Sequence, residues 1–164
     1  MQNVERDEAR ATGESPDRIR KELIVPAPPG RVWRALADAR EFGEWFRVDL
    51  GGASFVPGQE IAGKLLEEGF EHIAWRVTIE QMLPERLFSF RWHPFAIDPG
   101  VDYAREPMTL VQFQLGPAPG GTRLVIVESG FAGLLRTRRD EAYRMHDQGW
   151  SIQCERIAAH VGRS

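Results

Sequence analysis

Glu128 and His146 are the residues of this sequence whose types and settings best suit acid–base chemistry. Glu128 shares strand parity with Leu124 and Ile126 in the run TRLVIVE, so it points inward near the end of an apolar strand. Desolvation raises the pKa of such a carboxylate, which fits it to act as an acid, a base or a hydrogen-bond partner of a ligand. His146 falls on the apolar stripe of the last helical segment, three residues after Tyr143. A Glu128–His146 pair facing across an interior space would form an acid–base dyad, with Tyr143 as a further candidate. A plainer reading stands beside this one. The carboxylate is held by an arginine at the rim, Arg91, Arg123 or Arg136, and the histidine is a hydrogen-bonded packing residue.

Other reactive types are less well set. Cys154 lies on the same helical stripe as His146, where a buried thiol behaves as a small apolar group. A nucleophile needs a lowered pKa and an oriented base, and neither is legible there. The histidines His72, His93, His146 and His160 show no HxH, HExxH or Cys–His spacing, so no metal site is expected. Ser129-Gly130 lacks the frame of a nucleophile elbow, and no glycine-rich phosphate loop is present, so no nucleotide cofactor is expected. Arg136, Arg138 and Arg139 open the final helix against its dipole. A bound anion, or Asp140 and Glu141, would balance them, and a solvated charge run is the default. No catalytic residue is assigned.

The aromatic set is the strongest binding signal. Trp45, Phe46, Trp75, Phe88, Phe90, Trp92, Phe113, Tyr143 and Trp150 all fall on inward positions of their elements. Each is individually best read as core, but together they would line an apolar pocket, with indole N–H and phenol groups as polar handles. The candidate ligand-binding residues are these nine with Glu128 and His146.

The elements that must position them follow from periodicity. Ile19, Leu23 and Val25 mark a first strand, stopped by Pro26, Pro28 and Pro29. Val32, Trp33, Leu36 and Ala37 give one apolar face of a short helix, with Pro29 tolerated at its start. Phe42, Trp45 and Phe46 mark a second. From Gln59 the period becomes two: Ile61-Gly63-Leu65, Trp75-Val77-Ile79, Phe88-Phe90-Trp92, Val111-Phe113-Leu115 and Leu124-Ile126. Glycine and proline fall mostly between these runs, as an antiparallel meander requires. Tyr143, His146, Trp150, Cys154, Ile157 and Val161 then make a long amphipathic helix. The order predicts an α+β domain, with a curved antiparallel sheet wrapped around the last helix and a cavity where the two diverge. The His93–Pro107 connection is long for a hairpin, and such loops serve as lids or partner contacts.

Composition bounds the class. The chain has 164 residues and a net charge of −3, with 42% hydrophobic and 27% charged residues. This suits a single globular domain, placed at residues 18–163 after a polar tail at 1–17. The acidic balance (pI about 5.8) argues against a nucleic-acid or anionic-membrane binder. One cysteine excludes an intramolecular disulfide framework and fits a reducing, cytoplasmic setting. No apolar run is long enough for a membrane span, and the N-terminal residues do not read as a secretory signal.

The stretch PAPPGRVWRALADAREFGEWF, the strand–turn–strand VTIEQMLPERLFSFRW, then GGTRLVIVESGF and GWSIQCERIAAHV come in one order over residues 18–163. In these motifs the chain resembles the activator-of-Hsp90-ATPase-homologue-like branch of the START/Bet v 1-like (SRPBCC) superfamily. The resemblance implies a helix-grip fold: a seven-stranded antiparallel curved sheet around a long C-terminal helix, two short helices after the first strand, and a cavity between. It implies binding of a small hydrophobic or amphipathic ligand in that cavity. The alternatives are a cyclase- or dehydratase-like enzyme using Glu128 and His146, and a co-chaperone-type interaction module. Eukaryotic co-chaperones of the branch carry a separate domain ahead of this one for their Hsp90 contacts. A short acidic segment stands in that place here, so Hsp90 activation is not the expected activity.

Overall fold

The computed structural model describes residues 17–98 and 100–162. The expected tail, apart from Asp17, and Pro99 of the long loop lie outside the described residues. Seven strands form one antiparallel sheet in the order β1-β7-β6-β5-β4-β3-β2. These are β1 (Arg18–Val25), β2 (Val48–Asp49), β3 (Glu60–Leu65), β4 (Ala74–Leu83), β5 (Leu87–Trp92), β6 (Thr109–Ala118) and β7 (Gly121–Ser129). The helices are α1 (Pro29–Ala37), α2 (Ala39–Phe46) and α3 (Arg136–Gly162). The fold is the expected α+β helix grip.

The first strand and β2 occupy opposite edges of the sheet, and α1 and α2 carry the chain from one to the other. Helix α1 begins at Pro29, whose missing N–H falls where no helical partner exists. Asp38 ends α1 and starts α2, its side chain accepting a hydrogen bond from Glu41 N at 3.1 Å. The second helix stops at Arg47, which takes a left-handed conformation (φ 67°) and donates its N–H to Gly43 O. Gly43 admits no side chain, because a Cβ there would lie 2.5 Å from Val48 O. That close approach lets α2 press Phe42, Trp45 and Phe46 into the concave face.

Strand alternation builds that face. Trp75, Val77 and Ile79 of β4, Phe88 and Phe90 of β5, Val111 and Phe113 of β6, and Leu124, Ile126 and Glu128 of β7 are all buried. The convex face carries exposed ion pairs, including Arg76–Glu60 and Arg91–Glu80. A register shift between Ile79 and Gln81 bends β4 against β5, one source of the curvature. First and last strands close the layout, with β1 pairing along β7 from Arg18↔Ser129 to Val25↔Thr122. Asp17 is anchored just ahead of them, its carbonyl accepting from Gly130 N and Phe131 N.

Helix α3 crosses the concave face. Ala142, Trp150, Ile157 and Val161 are buried, whereas Tyr143, His146 and Cys154 of the same stripe are half-buried. Among the described residues no helix is long and apolar enough to cross a membrane.

Candidate functional site

Glu128 is the centre of the polar interior. The β7 pleat turns its side chain inward, where it is fully buried. Both carboxylate oxygens are saturated with donors. Oε2 accepts from Trp92 Nε1 on β5 at 2.7 Å and from Thr109 Oγ1 on β6 at 2.5 Å. Oε1 accepts from Trp150 Nε1 on α3 at 2.8 Å and from His146 Nδ1, also on α3, at 2.7 Å. Two indoles, a hydroxyl and an imidazole from three elements thus converge on a fourth.

The electrostatics follow from this cage. Burial by itself pushes the Glu128 carboxyl up, but the facing His146 ring and the Thr109 and Trp92 hydrogen bonds outweigh it and hold the pKa below its ordinary 4.5. The state of His146 is set by its other nitrogen. Phe95 N–H donates to Nε2 at 3.1 Å, which requires a lone pair there and leaves the proton on Nδ1. In that tautomer the ring donates to Glu128 through Nδ1. The side chains meet within direct reach, as a dyad would require. However, every nitrogen and oxygen of the pair is already engaged, so no free lone pair or proton points at a reacting atom.

The His93–Pro107 connection straps this centre against α3. Arg138 donates to Pro94 O at 2.7 Å and to Phe95 O at 2.9 Å, and forms a bidentate pair with Glu106 at 2.6 and 2.9 Å. Its guanidinium also lies 4.8 Å above the Tyr103 ring. His93 Nε2 donates to Glu106 O at 3.0 Å. Phe95 is held by both its N–H and its carbonyl in a left-handed conformation (φ 51°), which a non-glycine residue keeps only under such constraint.

The aromatic residues come together as one packed body. Phe46 lies 5.6 Å from Trp75, 6.3 Å from Trp92 and 6.2 Å from Trp150, measured between ring centroids. Trp92 and Trp150 are 5.9 Å apart, and Phe113 and Trp150 5.7 Å. Phe88 and Phe90 pack 5.9 Å apart in the floor. Trp45 is held by donating Nε1 to Ala35 O. These are edge-to-face and tilted contacts of the kind aromatic cores favour. Tyr143 stands to one side, its hydroxyl on Arg18 O and its ring 5.2 Å from Phe131. An open hollow of about 850 Å³ lies elsewhere, beside α2 and β2, lined by Asp38, Gly43, Val48, Leu50, Phe55 and Leu66 among others. It shares no residue with the aromatic set.

The arginine reading of Glu128 is not what the structure holds. Arg91 pairs with Glu80 and Arg123 with Glu22, while Arg136 is exposed, and none of them is a hydrogen-bond partner of Glu128. The basic run opening α3 is likewise divided. Arg138 is consumed by the strap, and neither Asp140 nor Glu141 is its hydrogen-bond partner. Two contributors went unnoticed in the sequence. Thr109 shares parity with Val111 and Phe113, so its inward direction was legible. The Phe95 amide left no signal, because its role depends on how the loop lies over α3. Burial pushes the Cys154 thiol up, which keeps it protonated and poorly nucleophilic.

Comparison with known proteins adds the lineage. A protein MLL2253 from Mesorhizobium loti is 24% identical, with a TM-score of 0.69 over 90% of this chain and 98% of its own. The protein CV1439 from Chromobacterium violaceum is 21% identical, with a TM-score of 0.66 over 89% and 97% of the two chains. DynU16, from the dynemicin biosynthetic locus, is 22% identical at a TM-score of 0.66, and the match spans 89% of this chain and 47% of DynU16. At these identities the likeness is one of fold. No curated protein matches the chain. The family model described as Activator of Hsp90 ATPase homolog 1-like protein matches residues 26–162. With most of its length accounted for in this way, the chain belongs to the Activator of Hsp90 ATPase homolog 1-like family.

Proposed function

We propose that this protein binds a small hydrophobic or amphipathic molecule between the sheet and α3. The walls are Trp45, Phe46, Trp75, Trp92 and Trp150, the floor Phe88, Phe90 and Phe113, and the polar margin Glu128, Tyr143 and His146. One observation carries the reading: the seam between sheet and helix is made of large rings and is incompletely closed. Trp92 is half-buried although its strand neighbour Phe90 is fully covered, and His146, Gly149 and Gln153 on the facing helix surface are half-buried too. Phe46 is held by no side-chain hydrogen bond, and forcing it into a strained rotamer costs about 1 kcal/mol. A ligand burying roughly 200 Å² of apolar surface gains about 5 kcal/mol, enough to displace a ring and still bind. The saturated Glu128 cage suits this role better than turnover, since it fixes the positions of Trp92 and Trp150 without presenting a reactive group.

A panel of fatty acids and polycyclic aromatics tests the reading by thermal shift and by ¹⁵N spectra of the indole N–H groups. A ligand should raise the melting temperature and move the Trp75, Trp92 and Trp150 resonances more than that of Trp33, which lies on α1 outside the proposed walls. If no compound does so at millimolar concentration, or if shifts are confined to the hollow beside α2, the reading is wrong.

A further inference from the structure

The hydrogen bond between His146 and the first turn of the strap has a direction that depends on the ring's proton. Phe95 N–H donates to His146 Nε2 at 3.1 Å, and His146 Nδ1 lies 2.7 Å from Glu128 Oε1. These two contacts pull the ring opposite ways. A buried carboxylate at hydrogen-bond distance favours a second proton on the imidazole. The Phe95 N–H opposes it, because a protonated Nε2 is a donor and would face another donor. The His146 side chain is 16% exposed, so the ring can exchange protons with solvent. Charged and titratable groups on the elements packed around it have their own partners. Arg138 pairs with Glu106, His93 Nε2 with Glu106 O, the Tyr143 hydroxyl with Arg18 O, and Asp147 with Lys21 of β1. The Trp92 and Phe131 rings lie 5.3 and 6.0 Å from the imidazole and offer no acceptor oxygen.

The backbone facing Nε2 has two arrangements open to it. Pro94 and Phe95 form a turn, and Phe95 has φ 51°. Proline followed by a residue of positive φ is the type II pattern, whose second place favours glycine. Half a turn of the peptide plane between the two residues gives type I, where both φ values are negative and proline still fits. The same rotation exchanges the Phe95 N–H facing His146 for the Pro94 carbonyl. We propose that a second proton on His146 turns over the Pro94–Phe95 peptide, so that Nε2–H donates to Pro94 O and the strap re-seats on α3. One Arg138 contact, to Pro94 O at 2.7 Å, is given up, whereas those to Phe95 O and Glu106 persist. In exchange Phe95, whose side chain packs against the core, leaves the left-handed region. The strap beside Trp92 thereby responds to pH, whether or not the seam takes a ligand.

Titration of the full chain by NMR from about pH 8 to about pH 5 tests the switch, a range that keeps Glu128 ionised. Imidazole ¹⁵N spectra follow the ring, and backbone ¹⁵N and ¹³C shifts follow Pro94 and Phe95. At high pH the proton should sit on Nδ1. As pH falls, the gain of the second proton and the change in the Pro94 and Phe95 backbone shifts should share one midpoint, with the Trp45 indole signal constant. Phe95 amide exchange, corrected for its intrinsic rate, should rise about tenfold across that midpoint. In His146→Gln, which takes up no proton, the Phe95 signals should stay fixed over the same range. A ring that titrates while Phe95 stays fixed, a ring that keeps its single proton to about pH 5, or a Phe95 transition that persists in His146→Gln would each overturn the switch. The native titration decides the first two even if the variant fails to fold.

Discussion

Replacing Glu128 by glutamine tests whether the buried carboxylate is the ionised hub described above. The substitution keeps the shape and changes two acceptor oxygens into one acceptor and one donor. If the new NH₂ takes the place of Oε2, it faces the Trp92 N–H at 2.7 Å and the Thr109 hydroxyl at 2.5 Å. Thr109 can rotate and accept, but the Trp92 indole is a donor only. If the NH₂ takes the place of Oε1, it faces Trp150 Nε1 and His146 Nδ1. The imidazole can exchange tautomers, but then its Nε2–H meets the Phe95 N–H, and Trp150 is stranded as before. Either orientation therefore strands at least one buried indole donor, at about 1–3 kcal/mol. The surviving bonds also lose their charge assistance, offset in part by the easier burial of a neutral amide. The net expectation is about 3 kcal/mol of destabilisation at pH 7, or a melting temperature lower by roughly 6–12 °C for a domain of this size. Urea denaturation followed by circular dichroism gives the free energy directly. The pH dependence adds a second check. The Glu128 pKa in the folded state lies below its ordinary 4.5, so its stabilisation is present above that value and is lost as pH falls through the lower folded one. The gap between native protein and variant should accordingly narrow on acidification below about pH 4.5. A variant within about 0.5 kcal/mol of the native protein, or a gap unchanged between pH 7 and pH 3, would refute the account of an ionised acceptor.

Three further outcomes follow from local geometry. Arg138→Met removes the anchor of the strap and should cost about 2 kcal/mol, with faster amide hydrogen exchange concentrated in residues 93–106; unchanged exchange there would show that the strap is held by other contacts. Gly43→Ala places a Cβ 2.5 Å from Val48 O and should destabilise by about 2–3 kcal/mol through displacement of β2 from α2, measured by chemical denaturation. Arg47→Gly has the opposite sign: Arg47 is exposed and left-handed at the end of α2, so glycine should stabilise by about 0.5–1 kcal/mol in the same assay.

The sheet and the long helix were legible because their signals are local. A strand turns alternate side chains to opposite faces whatever it packs against, so the parity of Leu124, Ile126 and Glu128 alone placed a carboxylate in the interior. Likewise the three-to-four spacing from Tyr143 to Val161 marked one helix face, and the break from helical to alternating pattern near Gln59 marked where the sheet takes over. The partners of Glu128 were a different matter. Arg91 and Arg123 were plausible from sequence, yet both lie on the convex face with Glu80 and Glu22, because the strand order apposes those residues. The tertiary structure alone decided that Trp92, Thr109, Trp150 and His146 should meet on one carboxylate, and that a backbone amide of the long loop should fix the imidazole's proton. Which side a residue faces is a property of its own strand or helix. What it meets there depends on the crossing of elements far apart in the chain, and no local pattern encodes that crossing.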